Sequence, residues 1–457
     1  MNRTATFIVL STLLATFPLT SNLAAQSVQP YSNAVTDNLI HPETPMAVPA
    51  RGVLFNDPDF GSTLVRVTDE NTNFVQPGTA LTTEGSGQLN MWSSDSKKFY
   101  VLGGARAFGF AFDPATMAVS PLPGATSGQG LLLPFGPGGT FSFNDPDLMY
   151  GTTNKKPLTI SSYRFSTGAI SDIIDTTSCG EQPALIAGPG VVSDDDVSPN
   201  LSGNRWSISE GGHAAGEHMF VVVYDKRLGC RWYNTQTGQI GGAWGKTGLA
   251  TATAPYVVRH AYMSRSGKHV YISVNNFGWY VWDIATLKVT GCGIHSGMDC
   301  NGYSVVGYDS YINAAAVLDD MQIEKRSFNN IAQFSQLVFP LPKPGYWGQP
   351  IHFTWSNVDA KDSTPACGST HAYDGDPGID QPYANEIFCV ETDGLASTVW
   401  RFAHNRATYI PPYFTTQPLG NTSRDGRFFI FSSDWDTLLG TGSDGKPRSD
   451  VFIVKLQ

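Results

Sequence analysis

A polar turn followed by a run of β-branched and aromatic residues recurs along the chain. Its clearest copy is Ser423-Arg-Asp-Gly-Arg-Phe-Phe-Ile-Phe-Ser-Ser433, with a second strand at Asp450-Val-Phe-Ile-Val-Lys-Leu456. The pattern returns in Ser264-Arg-Ser-Gly-Lys-His-Val-Tyr-Ile-Ser-Val274, followed by Trp279-Tyr-Val-Trp-Asp-Ile284. It returns again in Ser93-Ser-Asp-Ser-Lys-Lys-Phe-Tyr-Val-Leu102, followed by Gly109-Phe-Ala-Phe-Asp-Pro-Ala-Thr116. Self-similarity at roughly 40–50 residues, with about four short strands per unit, predicts an all-β fold, the β-propeller.

Seven units are counted: 86–125, 138–178, 190–245, 255–292, 301–343, 346–403, and 413–457 completed by 53–68. Six or eight blades stay open, because the fifth unit is the least regular. The strand within Gly52–Asp69 is expected to close the last blade, since pairing the N- and C-terminal strands removes an open sheet edge. Residues 51–457 are therefore expected to form one propeller of four-stranded antiparallel blades. Asn329–Leu337 reads as a short helix or a loop. Asp359–Asp380 reads as a long polar insertion projecting from one face, where binding loops often lie.

Arg3 precedes the apolar run Ala5–Phe17, and Ala24-Ala25 precede Gln26, the pattern of an export signal over 1–25. Residues 26–50 read as an extended leader. Export to the periplasm or the extracellular space suits six cysteines without a Cys-x-x-Cys spacing. Proximity suggests Cys179 with Cys230, Cys292 with Cys300, and Cys367 with Cys389, although six cysteines allow other pairings. A formal charge of −10 argues against nucleic acid and anionic membranes as partners. No membrane span is expected once the signal is removed, and the chain is expected to be a monomer.

His260 and His352 stand at matching points of the fourth and sixth units, each at the start of an innermost strand. Innermost strands converge on the central channel, where imidazoles can hold a metal. Arg259, His260, His352 and Gln417 are accordingly expected to bind ligand at the channel mouth. His404, Arg406 and Tyr409, like Arg259 with His260, are candidates for acid–base chemistry or for holding a carboxylate. Ser193-Asp-Asp-Asp196 and Asp374, Asp376 and Asp380 offer oxygen ligands for calcium, without the EF-hand spacing. The duplicated Asn56-Asp-Pro-Asp59 and Asn144-Asp-Pro-Asp147 read as turns. Trp92, Trp244, Trp279, Trp282, Trp347, Trp355 and Trp435 read as packing between blades rather than as sugar platforms. No nucleophile elbow, phosphate loop, His-Glu-x-x-His or dinucleotide fingerprint occurs.

The C-terminal third resembles the seven-bladed propellers related to oligogalacturonate lyases and to TolB-like and WD40-like repeats. The matching residues are His404-Asn-Arg406, Gln417-Pro418, Ser423 through Asp434, and Asp450-Val-Phe-Ile-Val454. In the lyase family a His-Pro-His-Pro run before the last Ser-x-Asp-Gly turn supplies ligands to a divalent metal. This chain has Gln417-Pro-Leu-Gly420 there, so the resemblance implies a manganese site that is lost or altered. The expectation is an exported propeller that binds a glycan or an extracellular protein, with a divalent cation, calcium or manganese, as the cofactor class. The alternative is a polysaccharide lyase acting on uronates.

Overall fold

The computed structural model describes residues 31–126, 129–180, 192–193, 196–212, 218–252, 254–274, 278–292, 302–317, 320–331, 336–339, 351–371, 382–393, 398–408, 410 and 413–457. These residues form seven antiparallel sheets arranged as the blades of a propeller.

The repeated turn has a physical cause. In Ser423–Phe428 the Ser423 hydroxyl donates to Asp425 (2.6 Å) and accepts from the backbone N–H of Phe428 (3.0 Å), while Gly426 takes a positive φ of 73°. Ser93 does the same with Asp95 and Lys98. Ser264 accepts from the N–H of His269, with Gly267 at φ 73°. Each turn thus fixes the hairpin register of the strand that follows. These turns also join blades: the Asp425 N–H donates to the Ser96 hydroxyl across the ring closure (3.1 Å).

Blade four is a regular example, ordered from the hub outward as Val258–Met263, His269–Val274, Gly278–Asp283 and Val289–Cys292. Blade two runs from Thr140–Phe141 to Ala169–Asp175, and blade three from Ser198–Pro199 to Gly248–Leu249. Blade five runs Gly302–Val306, Ser310–Val317, Asp320–Ser327, Gln336–Phe339. Of Asn329–Leu337, read as helix or loop, 329–331 form a turn, Gln336 and Leu337 belong to this last strand, and 332–335 lie outside the described residues. Blade six runs Ile351–Thr354, Ala366–Thr370, Glu386–Val390, Val399–His404. Asp359–Asp380 is therefore not a single projecting insertion: Asp362 is buried, and Ala366–Thr370 is a fully buried blade strand. The alternation of small and apolar residues in Ala-Cys-Gly-Ser-Thr hid that strand.

Blade seven closes the ring as expected. Gly420–Thr422, Phe428–Ser433 and Asp450–Lys455 are joined by Thr63–Arg66 and then Leu54–Asn56, with Leu64 opposite Val454. Upstream, residues 31–50 have no regular strand but lie along blades six and seven. Tyr31 is buried edge-on against Trp400 and Phe402, and Val35 bridges Arg401. Trp92, Trp279, Trp282, Trp355 and Trp435 are buried in the packing, as read, while Trp244 is half-buried and Trp347 lies outside the described residues.

Disulfides join Cys179 to Cys230, linking blades two and three, and Cys367 to Cys389, which face each other on adjacent strands of blade six. The expected Cys292–Cys300 bridge lies outside the described residues. Among the described residues no helix is long and apolar enough to cross a membrane.

Candidate functional site

Blade one (Lys98–Gly103, Arg106–Asp113, Ala118–Pro121) departs from the pattern at its inner edge. Trp92 and Thr82 pair only by isolated bridges, and the segment between them crosses the hub. Thr83 donates to the Leu419 carbonyl of blade seven (2.6 Å). Ser86 bonds the Tyr262 hydroxyl of blade four (2.7 Å). The Gln88 side chain grips blade five, donating to the Ser304 carbonyl and accepting from the Val306 N–H (2.8 Å). Gly87 passes so close to blade six that a Cβ there would lie 1.7 Å from the Phe353 carbonyl oxygen, which explains its glycine. The channel is thus spanned by a hydrogen-bonded plug, which no periodicity in the sequence announced.

His260 stands beside this plug. The register of its strand shifts between Val258 and His260, a bulge at Arg259 that leaves Arg259 exposed and His260 about a quarter exposed. Bulges re-aim side chains and concentrate near functional sites. The His260 Nδ1 lies 3.2 Å from Asp196 Oδ2, which also accepts from the Tyr262 hydroxyl (2.9 Å), and the imidazole stacks on the Tyr262 ring. Asp196 is the only described member of the Ser193–Asp196 carboxylates, and it faces a histidine. His218 lies next to this group through its backbone bridge to Val258, and burial pushes its pKa down to about 4.

His352 and Gln417 do meet. Gln417 is buried and hydrogen-bonds the His352 side chain. His371, at the end of the neighbouring strand, stacks on His352 with ring centroids 5.8 Å apart. Burial, reinforced by His371, lowers the His352 pKa to about 3, and burial lowers that of His371 to about 4. Both rings are therefore neutral at pH 7, the form that ligates metals. His371 went unnoticed in the sequence because it sits at a strand end rather than a strand start; it follows Thr370, which pairs with Ile351. The exposed Phe414 precedes Gln417 on a short 3-10 turn, Phe414–Thr416.

The remaining candidates are elsewhere. His404 ends the outermost strand of blade six and is buried beneath residues 41–44. Arg406 is buried with a positive φ of 52°, paired with Glu43 (3.1 Å) and lying over Trp435. Its guanidinium is used in holding the N-terminal segment. Tyr409, Asp374, Asp376 and Asp380 lie outside the described residues.

No protein-family model matches the sequence, and no curated protein matches it. Solved structures do. An oligogalacturonate lyase from Vibrio parahaemolyticus superposes with a TM-score of 0.53 at 12% identity, covering 89% of this chain and 98% of that one. An oligogalacturonate lyase in complex with manganese superposes with a TM-score of 0.43 at 10% identity, covering 90% and 97%. At such identity the likeness concerns the fold. The chain is a seven-bladed β-propeller resembling the oligogalacturonate-lyase propellers in architecture.

Proposed function

We propose that this is an exported propeller that binds an acidic glycan on the hub face around Arg259 and His260. The observation carrying this reading is the bulge at Arg259. It sets an exposed guanidinium, suited to a uronate carboxylate, beside a histidine held by Asp196. Two disulfides and the signal-like N-terminus support export. The test is calorimetric titration with oligogalacturonates and with neutral oligosaccharides of matched length. Binding of the acidic series alone, lost in Arg259→Ala, sustains the reading; equal binding of both, or of neither, refutes it.

A second reading, uronate β-elimination, is favoured by the Asp196–His260 pair. A carboxylate on Nδ1 fixes the imidazole and leaves Nε2 to take the proton beside the substrate carboxylate as the glycosidic C–O bond breaks. His352, His371 and Gln417 offer two neutral imidazoles and an amide oxygen, a donor set suited to a divalent cation that would stabilise the carboxylate's developing charge. Release of unsaturated uronate, followed by its ultraviolet absorbance and abolished in His260→Ala, distinguishes this reading from binding alone.

A further inference from the structure

Asp57, Asp59 and His404 bring one ligand atom each to within 4.8 Å of one another, away from the hub, where blade six meets the closing hairpin of blade seven. His404 is almost wholly buried, and both of its nitrogens face oxygen. Nε2 lies 2.9 Å from the His41 carbonyl, an acceptor only, so Nε2 carries the hydrogen. In the neutral ring, Nδ1 then presents a lone pair. That atom is buried, makes no hydrogen bond, and lies 3.1 Å from Asp59 Oδ2. Two lone pairs at this distance repel unless something positive lies between or beside them.

The surroundings favour a cation. Asp57 Oδ1 is satisfied by the N–H groups of Asp59 and Phe60, and Oδ2 accepts the His404 N–H. Asp59 is held by the Thr44 hydroxyl (2.6 Å) and N–H (2.9 Å). The carboxylates are thus oriented by backbone and hydroxyl donors, and the imidazole by a carbonyl. This is how protein metal ligands are usually positioned from behind. Adjacent ligands of a zinc-sized ion at about 2.1 Å stand about 3.0–3.4 Å apart, which the Nδ1–Oδ2 separation matches.

We propose that Asp57, Asp59 and His404 form a binding site for a first-row divalent cation of the zinc or manganese class, which staples the N-terminal segment to the ring closure. One nitrogen and two carboxylate donors suit such an ion better than calcium. The site is independent of the hub and of the proposed function.

The test uses the full chain carrying His352→Gln and His371→Gln, which removes the buried imidazole pair of the hub, stripped with chelator and titrated with Zn2+ and with Mn2+. One bound equivalent and a raised melting temperature are expected, with affinity lowered at least ~10-fold by Asp59→Asn or His404→Gln. Asp59→Asn retains an acceptor for Thr44, so it serves where His404→Gln fails to fold. Absence of uptake, or uptake unchanged in Asp59→Asn, overturns the proposal and leaves a structural histidine–aspartate contact.

Discussion

The hub and the N-terminal segment bury polar side chains to a similar depth and settle the cost in opposite ways. At the hub the imidazoles of His218, His352 and His371 give up their charge, because burial is the largest influence on each. Under residues 31–50 two buried arginines stay charged. Arg401, fully buried, forks onto Glu386 (2.7 and 2.6 Å) and reaches Asp37 and the Leu39 carbonyl (2.8 Å each). Arg406 lies between Asp436 and Glu43, whose carboxyl is held mostly protonated at pH 7 by burial and by Asp436. A neutral hub carries no charge that needs a counter-ion. A charge-paired flank is a fastening, since removing one partner leaves the other buried and alone.

The largest expected effect breaks the fastening. Arg401→Ala strands Glu386 and frees Asp37, and should cost about 3–5 kcal/mol in denaturant unfolding. A loss under ~1 kcal/mol would show that the flank contributes no more than exposed ion pairs do. Replacing Cys367 and Cys389 by Ala opens a loop of sequence separation 22 inside the same blade, with an expected loss of about 2–4 kcal/mol.

The pH dependence separates the two regions by sign. The hub histidines have folded-state pKa values of about 3 to 4 against an ordinary 6.5, so the folded protein binds fewer protons there. Their contribution is complete above pH 6.5 and is lost as pH falls toward 4 and 3. Glu43 behaves in reverse: burial first, then Asp436, push it from 4.5 up to about 8. Its contribution is complete below pH 4.5 and is lost as pH rises through 8. In metal-free protein, His352→Asn should flatten the acid side of the stability profile and Glu43→Gln the alkaline side. Melting curves across pH measure both, and an unchanged alkaline side in Glu43→Gln would remove the flank half of the contrast. The smallest effect is Arg259→Ala, expected within about 0.5 kcal/mol on stability because the side chain is exposed. Its consequence should appear in glycan binding alone.

Blade count and ring closure could be read in advance because each depends on a local rule. Ser423, Ser93 and Ser264 bond backbone N–H groups four or five residues on, so their turn signature is contiguous in sequence. The candidate site was only half legible. The matching positions of His260 and His352 followed from strand phase. Asp196 and the Thr83–Asn90 plug did not, because each meets its partner across blades, as Ser86 does with Tyr262, 176 residues away; His371 did not, because it reaches His352 only through the pairing of two strands of blade six. Asp57 and Asp59 read as a turn, which they are; that the turn faces His404, 347 residues distant from Asp57, has no trace in either segment.

By itself, then, the sequence determined the repeat, most of the strand pattern and the closing hairpin, set by short-range hydrogen bonding and by side chains alternating on a pleated strand. Only the tertiary structure decided which charges survive burial and which side chains share a site. Desolvation and ion pairing act between groups brought together by the closure of the ring, and their strength depends on distances that no local pattern encodes.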